Sequence, residues 1–156
     1  MKFIHAIMLF IGITAAMAGT EATYNVTPVQ SKTVSVQSAV WEKAKELVAE
    51  YGTRPPYPGP RIIPGAPQSA MTAQAVAPYV LACESGARDV GCHIDSNGLL
   101  SCGPAQFQKW KTHWEPVLHV YGSPTNTTTA VTALVKAIQM GFIGQWSCAK
   151  IEKIVK

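Results

Sequence analysis

Residues 79–107 read YVLACESGARDVGCHIDSNGLLSCGPAQF, an apolar run that ends in a carboxylate, followed by a segment that can fold back on itself. Cys92-His93-Ile94-Asp95 and Leu99-Leu100-Ser101-Cys102 flank Ser96-Asn97-Gly98, and Gly98 stands where a three-residue hairpin loop wants a left-handed residue. In that register Cys92 faces Cys102 at a separation a disulfide can span. The remaining cysteines then pair with each other, so the pattern predicts Cys92–Cys102 and Cys83–Cys148 bridges. Zinc is the competing use of Cys83, Cys92, His93 and Cys102. These residues lack the paired short spacings of zinc ligands, and no metal site is expected.

Outward from this stretch the patterning is helical. Met71, Ala75, Val76, Tyr79, Val80 and Cys83 form a stripe that ends at Gly86, with Pro78 predicted to kink the helix or start its second half. Downstream, Gly103-Pro104 is expected to open a short helix through Phe107 and Trp110. Trp114, Val117, Leu118 and Tyr121 continue its pattern, interrupted at Pro116. After the turn Gly122-Ser123-Pro124, Asn126 or Thr127 can cap a longer helix carrying Val131, Leu134, Val135, Ile138 and Phe142. A short amphipathic pattern around Cys148, Ile151 and Val155 follows. The fold class predicted is mainly α with one small β-hairpin (α+β).

The upstream part divides by composition. Residues 1–18 read as a secretory signal: Lys2, an apolar run from Phe3 to Ala16, then Ala16-Met17-Ala18 as a small-x-small cleavage pattern. The run is too short for a comfortable membrane span, and no stable span is expected once it is removed. Residues 19–36 are polar and without helical period, and read as a flexible arm. Residues 37–52 read as an amphipathic helix started by Ser38 and stopped by Gly52 and Pro55, with Val40, Trp41, Ala44, Leu47, Val48 and Tyr51 on one face. Residues 53–68, TRPPYPGPRIIPGAPQ, exclude a helix or a central strand and read as a linker or a loop laid over the surface. The domain carrying the chemistry is then 69–156.

The whole chain has 156 residues, enough for one ordinary domain and too few for a large two-domain enzyme. Charged residues are only 14% and hydrophobic ones 47%, which marks a globular chain. The formal net charge of +4 is spread without a basic run. That balance suits contact with an acidic polymer but gives no clustered patch for nucleic acid, and no nucleic-acid partner is expected. An even cysteine count behind a signal peptide points to an oxidising compartment, periplasmic or secreted.

There is no GxSxG, GxxxxGK[ST], GxGxxG or HExxH, which removes the commonest serine hydrolases, nucleotide enzymes and zinc proteases. Glu84 remains. Its chain neighbours are apolar, and desolvation raises a carboxyl pKa. A carboxylic acid kept protonated near neutral pH is what glycosidic cleavage needs, because the leaving sugar oxygen must receive a proton.

Glu84-Ser85-Gly86 followed by Gly103-Pro104-Ala105-Gln106-Phe107 resembles the lytic transglycosylase branch of the lysozyme superfamily, over roughly residues 70–150. The family's Glu-Ser motif matches Glu84-Ser85, and its Gly-Leu-Met-Gln motif matches Gly103 to Gln106, with Pro104 and Ala105 replacing Leu-Met. The closing Gln145-Trp146-Ser147-Cys148 also looks like small exported members. The family's Tyr-Asn pair has no clear match, and Tyr121 or Asn126 stands nearest to it. The resemblance implies a lysozyme-like fold and a peptidoglycan glycan strand as substrate. It implies a cofactor-free reaction in which Glu84 first protonates the bond between N-acetylmuramic acid and N-acetylglucosamine, then takes a proton from the C6 hydroxyl to leave a 1,6-anhydro sugar. Ser85, Gly103, Gln106 and Tyr121 would contact the glycan or orient Glu84. Such enzymes commonly serve a secretion, conjugation, pilus or phage machine. Three alternatives stay open: a lysozyme-type hydrolase with Asp89 or Asp95 as second carboxylate, a non-catalytic disulfide-stapled wall-binding module, and a generic exported helical protein. Trp110, Trp114 and Trp146 could stack on sugars or lie in the core.

Overall fold

A computed structural model of the chain describes residues 29–151, apart from 58, 60, 61 and 64, with the backbone alone at 29–35 and 151. The signal 1–18, the arm up to residue 28 and the tail beyond residue 151, including Val155, lie outside the described residues. Helix α1 (Val29–Tyr51) starts well before residue 37, where the amphipathic pattern places its start, so residues 29–36 are helical and not part of a flexible arm. The Ser, Thr, Val and Gln of that run each cost a helix only about 0.7 kcal/mol or less. A helix already nucleated by its packed half propagates through them. Ser38 is an exposed interior residue of α1 and not its cap.

Val40, Ala44 and Leu47 put the inner face of α1 into the core, with Trp41 and Val48 half-buried beside them. Residues 53–68 return the chain as a strap seated on the body, the surface-loop form of the two readings. Pro55 and Ile62 are fully buried. The Gly65 amide donates to the Gly141 carbonyl at 2.8 Å, and the Gln68 amide to the Gln139 carbonyl at 2.8 Å. Prolines suit such a strap because they preset φ and leave fewer N–H groups to satisfy against an apolar surface.

Helix α2 (Ala70–Ser85) is capped by the Ser69 hydroxyl, which accepts from the Thr72 amide, and ends at a left-handed Gly86. It runs on through a buried Pro78. Its inner face is Ala73, Val76, Ala77, Val80, Leu81 and Ala82. Met71 and Ala75, expected on the apolar stripe, are exposed instead. An element this apolar around its circumference has to be covered on several sides, and α1 packs along it.

Strands β1 (Cys92–Ile94) and β2 (Leu100–Cys102) form the expected hairpin, in the register that places Cys92 opposite Cys102. Gly98 takes the left-handed conformation in its loop, with its amide donating to the Asp95 carbonyl. The next element is a correction. Gly103 to Gln106 do not open a helix; they form a tight turn that brings Phe107–Gln108 back onto β2 as a third strand, β3. Among the described residues the sheet is therefore three-stranded and antiparallel, in the order β1-β2-β3. Gly103 enforces the turn: its φ is +72°, and a Cβ there would sit 1.7 Å from the Pro124 carbonyl oxygen.

A single π-helical turn, Trp110–Trp114, leads into α3 (Glu115–Leu118), whose first turn accommodates Pro116. Helix α4 (Thr127–Gln139) is capped by Asn126 and buries Ala130, Val131, Ala133, Leu134, Ala137 and Ile138. It packs on α2 and also on α1, to which it is tied by a hydrogen bond from the Gln37 side-chain amide to the Thr132 hydroxyl at 2.7 Å. A 3-10 turn, Phe142–Gln145, precedes α5 (Ser147–Ile151). Fully buried Phe107 is surrounded by Trp110, Trp114 and Trp146 at centroid distances of 5.1, 5.5 and 5.5 Å. Disulfides join Cys83 to Cys148 and Cys92 to Cys102. The architecture is α+β, helical with one small sheet, and among the described residues no helix is long and apolar enough to cross a membrane.

Val40 and Ala44 share one hydrophobic cluster with Val80, Leu81, Leu134 and Ile138, so a boundary at residue 69 does not separate two cores. A chain shortened to begin at Ser69 uncovers the α2 and α4 faces that α1 and the strap occupy. Calorimetry should show that it has lost its cooperative melt, whereas a sharp transition would mean that α1 is only docked. Gly103→Ala meets both a positive φ and a backbone carbonyl. It should destabilise the protein by at least about 2 kcal/mol in a denaturant titration, and an unchanged midpoint would show that the turn can move off Pro124.

Candidate active site

Glu84 is the only charged residue in α2 and lies one residue from its end. The last turn of the helix carries it out of the core to the rim of a cleft of about 610 Å³ between the helical body and the sheet. From the helical side the cleft is lined by Glu84, Gln145 and Ser147, and from the hairpin and β3 by His93, Asp95, Asn97, Ser101 and Gln108, with Gln106 in the turn between strands. Burial pushes the Glu84 carboxyl above the usual carboxylate range, and the negative charge of Asp95 adds to the rise. Two donors oppose it: the Cys148 amide donates to Glu84 Oε1 at 3.2 Å, and the Ser147 hydroxyl at 3.5 Å.

Asp95 sits just beyond β1 in the opposite electrostatic setting. Its carboxylate accepts from the Ser101 hydroxyl, from Gln108 Nε2 at 2.7 Å and from His93 Nε2 at 2.9 Å. The Ser101 bond is the largest influence holding its pKa below the usual carboxylate range, with Gln108 and His93 acting in the same direction. Gln108 Nε2 also reaches the Ser101 hydroxyl at 3.1 Å. This network exists because β2 pairs Ser101 with Gln108, which places their side chains together on one face of the sheet.

The structure brings Glu84, Gln106 and Asp95 to one cleft and leaves the other expected contacts elsewhere. Ser85 is buried, and its hydroxyl donates to the Leu81 carbonyl inside α2. Gly103 shapes the turn, and its carbonyl accepts from Gln106 Nε2 at 2.7 Å. Tyr121 is 70% exposed and lies outside the cleft. Asp89 is likewise outside it, accepting from the Thr127 hydroxyl at the start of α4. Trp110, Trp114 and Trp146 are 6%, 6% and 5% exposed, which makes them core, although Trp114 and Trp146 form part of the cleft wall. The indole N–H of Trp146 donates to the Ala105 carbonyl at 2.6 Å. The four cysteines considered as zinc ligands or disulfide partners are all consumed in the two bridges.

Sequence reasoning missed Ser101, Gln108, Asn97, Gln145 and Ser147. The signal for the first two is the pairing of β2 with Phe107–Gln108, which the expectation of a helix through Phe107 and Trp110 hides. Chemically, the cleft presents a carboxyl with raised proton affinity facing amide and hydroxyl donors and acceptors of the type that bind sugar hydroxyls. No protein-family model, curated protein or solved structure matches the chain.

Proposed function

We propose that this protein is an exported, lysozyme-like enzyme that cleaves the bond between N-acetylmuramic acid and N-acetylglucosamine in peptidoglycan, as a lytic transglycosylase. The observation that carries the reading is a pair of carboxyl groups, Glu84 and Asp95, that line one polar cleft and are driven in opposite directions. Such a split assigns acid and base roles. Glu84, which burial makes the more reluctant of the two to ionise, is the general acid toward the leaving oxygen. Once ionised, it is also the stronger base of the two, and it accepts the proton of the C6 hydroxyl. Asp95 is a poor base, because three donors already satisfy its oxygens. It contributes a fixed negative charge that steadies the developing sugar cation. Both disulfides fit an oxidising compartment and support a periplasmic or secreted location.

A second reading is hydrolysis, favoured by the same presence of Asp95 in the cleft: there the second carboxylate serves as base or nucleophile. Asp89 has no part in it, since it lies elsewhere. Mass spectrometry of digested peptidoglycan separates the two readings, with 1,6-anhydro ends from the transglycosylase and reducing ends from the hydrolase. Intact wall would remove both.

Glu84→Gln keeps the shape and the acceptor for the Cys148 amide but loses the proton. Its turnover should fall at least about 10²–10⁴-fold, and a variant near the wild-type rate would remove Glu84 from the reaction. Asp95→Asn should keep anhydro products at a reduced rate under the first reading and be inactive under the second.

Because the folded-state pKa of Glu84 is raised, the native state binds this proton more tightly than the unfolded chain does. Its stabilising effect is therefore complete below the unfolded pKa and lost as pH rises through the folded one. At neutral pH, Glu84→Gln should melt at the wild-type temperature or above, and the difference should close as pH falls toward about 4. A variant that melts lower at pH 7 and recovers in acid would reverse the sign. Wild-type activity should fall as pH rises through the elevated pKa of Glu84.

A further inference from the structure

Cys83 and Glu84 are consecutive, and Cys83 is bonded to Cys148, whose own amide donates to Glu84 Oε1 at 3.2 Å. Covalent bonds and one hydrogen bond thus close a small ring through the candidate catalytic carboxyl. Ser147, the residue before Cys148, places its hydroxyl 3.5 Å from the same oxygen. We propose that the Cys83–Cys148 bridge, with the Cys148 amide and the Ser147 hydroxyl, is a positioning clamp on Glu84; this rests on the acid–base role argued above.

Helix α5, Ser147–Ile151 among the described residues, takes its place from tertiary contacts, as helices in proteins mostly do. Trp146 and Ala149 anchor it to the core by burial, and the bridge fixes where the Cys148 amide points relative to the end of α2. That direction matters because a carboxyl acting on a sugar oxygen loses rate steeply with small misplacement. The clamp also sets proton affinity. Burial raises it, and so does Asp95, the charged group of the hairpin that faces Glu84, itself paired with His93. The two clamp donors stabilise the ionised form and pull the other way. A group that must first give a proton and then take one is served by this balance, since burial alone would make it reluctant to ionise.

The test uses the full chain and the double substitution Cys83→Ser with Cys148→Ser. Glu84 is followed by carbon-13 NMR of its carboxyl across pH, in both proteins. Loss of the amide donor destabilises the carboxylate, so the variant should titrate at higher pH, and the high-pH limb of its rate profile should move up with it. A bridge with a merely structural role would lower the melting temperature and the active fraction but leave both positions unchanged, and that result would overturn the clamp. Should the variant not fold, the wild-type protein carries the test. The Cys148 amide resonance should follow the Glu84 carboxyl titration, moving downfield as Glu84 ionises, and an amide indifferent to that titration would overturn it. Neither NMR reading requires turnover. An inert protein whose Cys148 amide tracks Glu84 would overturn the proposed function and leave the clamp in place.

Discussion

Helix α2 buries Ala73, Val76, Ala77, Pro78, Val80, Leu81, Ala82 and Ser85, so water is kept from most of its circumference. Hydrophobic burial is roughly proportional to the apolar area covered, and each neighbouring element can be understood as covering part of this one. Helix α1 and the strap close one side, α4 another, and α5 is stapled across its end. Glu84, the single charged residue of α2, stands in its last turn, just before Gly86 releases the chain. Its reluctance to ionise comes from the burial that the surrounding apolar elements impose on it.

The sheet supplies the opposite environment. β3 completes the floor under the hairpin, and its Gln108 joins Ser101 and His93 as donors to Asp95. Donors converging on an anion stabilise it even at a partly exposed site. Two carboxyl groups of similar intrinsic acidity are therefore separated by their surroundings, one by lost water and the other by gained hydrogen bonds. The aromatic cluster around Phe107 links the two halves. Phe107 is a β3 residue buried among three tryptophans, so the strand that completes the Asp95 network also plugs the core beneath the cleft.

What was legible in the chain follows from the range of the forces involved. The hairpin register, the Gly98 loop and both disulfides could be read because local turn chemistry and cysteine spacing decide them. The stop of α2 at Gly86 is local too. The turn at Gly103 was not legible as a turn, because the close approach of the Pro124 carbonyl that leaves no room for a Cβ there comes from a residue distant in sequence. With that turn misread, β3 and the network on Asp95 were hidden as well. The start of α1 escaped notice since its first residues carry little apolar signal of their own. Ser85 and Tyr121 show a different limit: a short motif specifies residue types, but the direction of a side chain depends on packing. The Ser85 hydroxyl is turned back to Leu81 by the helix that holds it.

The position of Glu84 also explains why the longer disulfide joins residues 65 apart in sequence. A carboxyl at the end of a buried helix has fewer backbone donors within its own element than one at a helix start, because the last turn presents carbonyls and not amides. Any donor that stabilises its ionised form must come from another part of the chain. Here it comes from the segment after Trp146, whose indole is anchored on the Ala105 carbonyl in the turn between β2 and β3. The same segment that presents the Cys148 amide to Glu84 is thus tied to the turn that builds the Asp95 side of the cleft.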